Sequence, residues 1–157
     1  MMSFASNFLN LVKSKLRPVL MRLASNPRTP PAVLSVLSSL QETALIERIA
    51  EHPLTPPEAL VQLAWHAVPE VRIALVSNPN CPVWIVCKLC RDDCVDVRYS
   101  IAENPHVPLE VLLLLSRDEN PYVAGRARTT LNRVEFERPV RMIKRLFPLN
   151  IQDRRLG

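Results

Sequence analysis

Apolar side chains recur along this chain at two spacings. Over short distances they fall three and four residues apart, as Ala59, Leu60 and Leu63 do, which is the stripe of an amphipathic helix. Over long distances the whole arrangement repeats every 26 residues, announced by Asn26-Pro27, His52-Pro53, Asn78-Pro79 and Asn104-Pro105. Counted from those junctions, the eighth and ninth positions are Val33-Leu34, Ala59-Leu60, Ile85-Val86 and Val111-Leu112. The twelfth position is always leucine (Leu37, Leu63, Leu89, Leu115), and the twentieth is Leu45, Val71, Val97 or Val123. Internal periodicity of this length marks a stacked array whose units bury their apolar faces against one another. The pattern predicts units at 26–51, 52–77, 78–103 and 104–129, each a helix of about ten residues followed by a second short helix.

The polar and proline positions punctuate this pattern. The fifth position is always proline (Pro30, Pro56, Pro82, Pro108). In the stretch TPPE, Thr55 reads as a helix N-cap, Pro56 as the first helical residue and Glu58 as the reciprocal partner of a capping box. The stretch PEVRIALVS, from Pro69 to Ser77, reads as the second helix, closed by the next Asn-Pro because a residue preceding proline avoids helical geometry. Asn26, Asn78 and Asn104 read as turn formers. Arg72 and Arg98, each following a valine, read as bridges to acids of neighbouring units. Fifteen prolines against two glycines fit short, repeatedly restarted helices and argue against an all-β fold.

These residues carry a family resemblance. The pattern NPxTPPExLxxLA…PEVRxAxxxNP, fullest in 52–77, resembles the leucine-rich repeat variant family of bacterial HEAT-like helical repeats. Units 78–103 and 104–129 match well, whereas 26–51 drifts after Leu37. The resemblance covers about two-thirds of the chain and implies alternating α and short 3₁₀ helices wound into a right-handed superhelix. It implies no fixed chemistry. The expected fold is therefore an all-α, right-handed solenoid of four two-helix repeats. Residues 1–25 supply an amphipathic capping helix and half-repeat, and residues 130–157 a basic extension.

All four cysteines lie in one unit, at Cys81, Cys87, Cys90 and Cys94. The unit alignment places Cys81 at the N-cap position of Thr29 and Thr55, and Cys90 at a position otherwise held by Ser38, Ala64 and Ser116. Small side chains where helices meet are the favoured reading. The alternative is a zinc or iron–sulfur site, since Cys87, Cys90 and Cys94 would share one helix face if that helix ran on to Cys94. The spacing C-x5-C-x2-C-x3-C matches no familiar zinc motif. Redox sensing is a third reading.

Charge separates the repeats from their flanks. Residues 1–25 hold four basic residues and no acid, residues 26–129 nine basic and twelve acidic, and residues 130–157 seven basic and three acidic. A nucleic-acid-binding array would concentrate Lys and Arg along its repeats, so DNA or RNA binding is assigned only to the flanks, as an alternative. The N-terminal stripe Phe4, Phe8, Leu11, Val12, Leu16, Val19, Leu20 and Leu23, beside Lys13, Lys15 and Arg17, predicts a capping helix. Contact of residues 4–23 with an anionic membrane surface is its alternative. At the other end Val140, Ile143 and Phe147 have helical spacing among Arg141, Lys144 and Arg145.

Nothing in the sequence points to catalysis: there is no glycine-rich phosphate loop, no H-E-x-x-H and no G-x-S-x-G. No apolar run approaches the roughly 18 residues of a membrane span, and no secretory leader is evident, so a cytoplasmic location is expected. The expected role is a non-enzymatic scaffold or adaptor binding a protein partner. The residues assigned to that contact are Trp65, Trp84, Arg91, Tyr99 and Arg117 in the repeats, with Arg141, Lys144, Arg145 and Phe147 in the basic tail. Exposed aromatics and arginines are the usual anchors of protein interfaces.

Overall fold

The computed structural model describes residues 15–40 and 42–146, with side chains described as far as Glu135. The described residues form nine helices and no strand. They are α1 (15–25), α2 (Pro31–Ser38), α3 (Thr43–Glu51), α4 (Pro57–Leu63), α5 (Pro69–Val76), α6 (Val83–Leu89), α7 (Val95–Glu103), α8 (Leu109–Leu115) and α9 (Pro121–Leu146).

The 26-residue register of the sequence is the register of the fold. The first helices of the four units begin at Pro31, Pro57, Val83 and Leu109, and the second helices at Thr43, Pro69, Val95 and Pro121. Unit 26–51 keeps this register although its sequence drifts after Leu37. The apolar positions are retained, and Leu45, Val71, Val97 and Val123 are all fully buried. Burial of each such side chain contributes about 2 kcal/mol. The second helices pack in succession, α3 on α5, α5 on α7 and α7 on α9, and each first helix packs on the second helix of its own unit. One continuous core runs from Ile46 to Leu131, and a smaller one joins Ala24, Leu20 and Met21 of α1 to Leu34, Leu37, Leu45 and Ile49.

Three expectations change. The second helices are α-helices of eight or nine residues in the first three units, rather than the 3₁₀ turns the resemblance implies. The capping box is absent. Pro56 is extended and serves as the N-cap, because it precedes Pro57, and no side chain caps α4. Thr55 is thereby one residue too early to reach the helix it precedes. Its hydroxyl donates instead to the Ile49 carbonyl at the end of α3 (2.5 Å), as that of Thr29 does to the Leu23 carbonyl (2.6 Å). Each threonine thus satisfies an orphan carbonyl of the preceding helix. Finally, the predicted boundary at Thr129 lies inside α9. The next unit would begin with Asn-Pro, but residues 130 and 131 are Thr-Leu, so nothing stops the helix there. Pro139, within α9, has no N–H to offer the carbonyl four residues back.

Two ladders of polar side chains tie the units together. Along one edge, Asn26, Asn78 and Asn104 accept the backbone N–H two residues on, at 3.0, 2.8 and 2.9 Å. The side-chain amide of Asn78 also donates to the His52 carbonyl (2.9 Å) and the Ala50 carbonyl (2.6 Å), and that of Asn104 to the Val76 carbonyl (3.2 Å). His52 reproduces the asparagine: Nδ1 accepts from the Leu54 N–H (3.1 Å) and Nε2 lies 2.8 Å from the Asn26 carbonyl, which assigns the proton to Nε2.

Along the other edge, Arg72 forks onto Asp92 through two bonds of 2.7 Å, and Arg98 onto Asp118 at 2.9 and 3.1 Å. Each arginine also donates to a carbonyl in the turn of its own unit, His66 for Arg72 (2.6 Å) and Asp92 for Arg98 (2.7 Å). Burial alone would push the Asp92 and Asp118 carboxyls up. The guanidinium and backbone N–H donors outweigh it and hold both below the ordinary carboxylate range. Hydrogen bonds donated to the aspartates in turn raise both arginines. The expected inter-unit role of Arg72 and Arg98 is what the structure shows.

Candidate interaction face

The helices α4, α6 and α8 bury their eighth, ninth and twelfth positions, which turns the seventh, tenth, eleventh and fourteenth positions outward as one stripe. On α4, α6 and α8 that stripe carries much apolar surface. Trp65 is 70 % exposed, Trp84 51 %, Leu113 53 % and Leu114 45 %, with Cys87 and Val83 exposed beside them. The outer side of the second helices carries more charge, although Tyr122 (78 % exposed) and Val95 are uncovered there too. Arg48, Glu51, Glu70, Asp96 and Glu103 are exposed there, and Arg48–Glu51 and Arg126–Glu103 form ion pairs.

The three first helices are neighbours on this face. The Lys88 ammonium of α6 sits 3.7 Å from the centre of the Trp65 ring, beyond the end of α4, and donates to the Ala64 carbonyl (3.3 Å). Two grooves of about 440 and 420 Å³ separate the units along this edge. One is lined by Trp65, Lys88 and Arg91, the other by Arg91, Leu114 and Arg117. Both are floored by the arginine–aspartate ladder, and Arg91 borders both.

Four of the five contact residues assigned in the repeats therefore share a face: Trp65, Trp84, Arg91 and Arg117. Tyr99 belongs to the other row, on α7, where it is half-buried against the core. Arg141, Lys144 and Arg145 fall in the helical span of α9, beyond the residues whose side chains are described; Phe147 lies outside the described residues. The sequence reading overlooked Val83, Lys88, Leu113 and Leu114. Leu113 and Leu114 were visible in the run LEVLLLL, where six apolar residues of seven exceed what one buried stripe can hide.

The cysteines are not brought together, and among the described residues no three His, Cys, Asp or Glu side chains are placed to hold a metal ion. The helix does not run on to Cys94: α6 ends at Leu89, Cys90 is its C-cap, and Cys94 is the N-cap of α7. The Cys90 thiol donates to the Cys87 carbonyl (2.9 Å), as the hydroxyls of Ser38 and Ser116 do to the equivalent carbonyls of Ser35 (2.8 Å) and Leu113 (2.7 Å). Cys90 is a serine equivalent. Cys81 stands where Thr29 and Thr55 make their hydroxyl bonds, but its sulfur reaches only the Pro82 carbonyl, at 3.9 Å. Burial pushes the Cys81 thiol up to about 11, and burial with the neighbouring Cys87 raises Cys90, so neither favours a thiolate. Cys87 is exposed, not buried between helices as the sequence suggested.

No protein-family model, curated protein or solved structure matches the chain. No described helix is long and apolar enough to cross a membrane.

Proposed function

We propose that this chain is a non-enzymatic protein-interaction module, a helical solenoid of the leucine-rich repeat variant kind, and that its partner docks on the outer face of α4, α6 and α8. The observation that carries this reading is the gathering of exposed apolar side chains on the first helices of three successive units. Trp65, Trp84, Leu113 and Leu114 are uncovered there beside the exposed cations of Arg91 and Arg117, whereas the second helices expose mainly charge, with Tyr122 and Val95 among it. A contiguous apolar face with a polar rim marks an interaction surface, and Trp and Arg are its usual anchors. Repeat arrays offer extended surfaces of this kind rather than enclosed catalytic pockets. Affinity purification from the cells that make the protein tests the reading. The intact chain should recover one protein in stoichiometric amount, and W84A/L113S should lose it while keeping its helical content. Equal recovery by that variant would refute the assignment.

A further inference from the structure

The charges bordering the apolar face are sorted by sign. At the start of the first helices, the seventh position holds Glu58, Trp84 and Glu110, all exposed. Just past their ends, the fourteenth position holds Trp65, Arg91 and Arg117, also exposed. Between these rims lie the tenth and eleventh positions: Val61 and Gln62, Cys87 and Lys88, Leu113 and Leu114. Asp93 and Glu119, two residues beyond the basic rim, line the same grooves. Glu119 lies 3.5 Å from Arg98 with its side chain 90 % exposed, so it and Asp93 form an acidic row outside the basic rim. The face is thus a lane with an acidic and a basic border. Seven helical residues separate the borders by about 10 Å, close to the width of one α-helix with its side chains.

The lane runs across α4, α6 and α8, which follow one another at the 26-residue repeat because the second helices of their units pack in succession. Resting on the docking reading above, we infer that the occupant of this face is a single amphipathic α-helix of the partner. It crosses α4, α6 and α8 with an apolar residue every third or fourth position. Acidic side chains on one flank meet Arg91 and Arg117, and basic side chains on the other meet Glu58 and Glu110. Trp65 and Trp84 stand diagonally across the lane as its anchors. Spanning three units takes roughly 14–21 residues. An extended segment would not fill a lane of this width, and a partner of one charge sign would be repelled by one border.

A designed 18-residue helical peptide, with leucines on one face, glutamates on one flank and lysines on the other, is a direct probe. Its affinity is read by calorimetry and by the emission of Trp65 and Trp84. Two control peptides carry glutamate on both flanks or lysine on both. The mixed peptide should bind at least about tenfold more tightly than either control. R91E/R117E makes both borders acidic and should weaken the mixed peptide about tenfold or more, shifting preference to the lysine-flanked control. Adding E58K/E110K exchanges the borders, and binding should return to within about threefold, because the helix need only lie in the opposite direction. These are exposed residues, so all variants should melt like the parent. No binding of the mixed peptide at millimolar concentration, or an affinity indifferent to both reversals, overturns the helical lane. The docking reading is decided separately, by recovery of the cellular partner with W84A/L113S.

Discussion

The Arg98–Asp118 pair offers the sharpest test of how the units are held together. Both side chains are 8 % exposed, and the guanidinium makes two bonds to Asp118 and two to turn carbonyls. In R98M the Asp118 carboxylate stays buried with only the Asn120 N–H as donor (2.9 Å), and the Asp92 carbonyl loses its 2.7 Å bond. Leaving one partner of a buried pair uncompensated costs about 3–5 kcal/mol. For a chain of this size that lowers Tm by roughly 10 °C. In D118A the guanidinium keeps its carbonyl bonds and has Glu119 3.5 Å away, so the cost should be smaller, about 2 kcal/mol. The double variant R98M/D118A removes both charges and leaves mainly the unpaired carbonyl, so it should cost about 1–3 kcal/mol, less than R98M alone. Urea unfolding followed by circular dichroism gives all four values and a coupling of about 4 kcal/mol, the sum of the single costs less that of the double variant. Because the pair joins two units of a stacked array, R98M should also reduce the urea dependence of unfolding by detaching the last unit. Additive single costs, or an R98M penalty below about 1 kcal/mol, would refute the claim that this ladder couples the units.

Other contacts make their own predictions. Asp92 and Asp118 titrate below their unfolded value near 3.9, so their stabilisation is complete above about pH 5 and disappears as pH falls through the depressed folded values. Acid unfolding monitored by circular dichroism should therefore be steeper in the parent than in R72M/D92A. H52N should leave stability within about 0.5 kcal/mol of the parent, because asparagine makes the same bonds elsewhere in the ladder. H52A should cost about 2 kcal/mol by stranding the Leu54 N–H. T55V removes the hydroxyl that caps Ile49 and should cost about 1 kcal/mol, while C81T, which supplies the missing hydroxyl, should gain a similar amount. Thermal melting resolves each of these.

Much of the fold was legible because helix starts and core positions follow the 26-residue spacing, and spacing is a property of sequence. The drift after Leu37 did not hide unit 26–51, because its apolar positions kept the register that the consensus polar residues had lost. The capping box failed for a local reason: Pro57 excludes Pro56 from the helix and moves its start one residue past the reach of Thr55. The ladders were half visible. The arginines were read correctly, but their acceptors lie 20 residues away, and only the stacking of turns shows which carboxylates they meet. For the face, Trp65 and Arg91 stood out as unusual residues, whereas Leu113 and Leu114 passed unremarked until the buried stripe of α8 was seen to be full. Tyr99 shows the converse error. An aromatic replacing smaller residues can face the neighbouring helix as readily as the outside.

The two ladders have a consequence for the length of the molecule. Every inter-unit bond joins positions fixed within the 26-residue frame, so excising residues 78–103 would join Ser77 to Asn104 without breaking the frame. Asn104 would inherit the carbonyls now held by Asn78, and Arg72 would find Asp118 where Asp92 had been. The excised block contains every cysteine. The spacing thus predicts that a shortened, thiol-free protein lacking this block should still fold, which circular dichroism of the deletion variant checks. A deletion whose length is not a multiple of 26 would put both sets of partners out of phase at once.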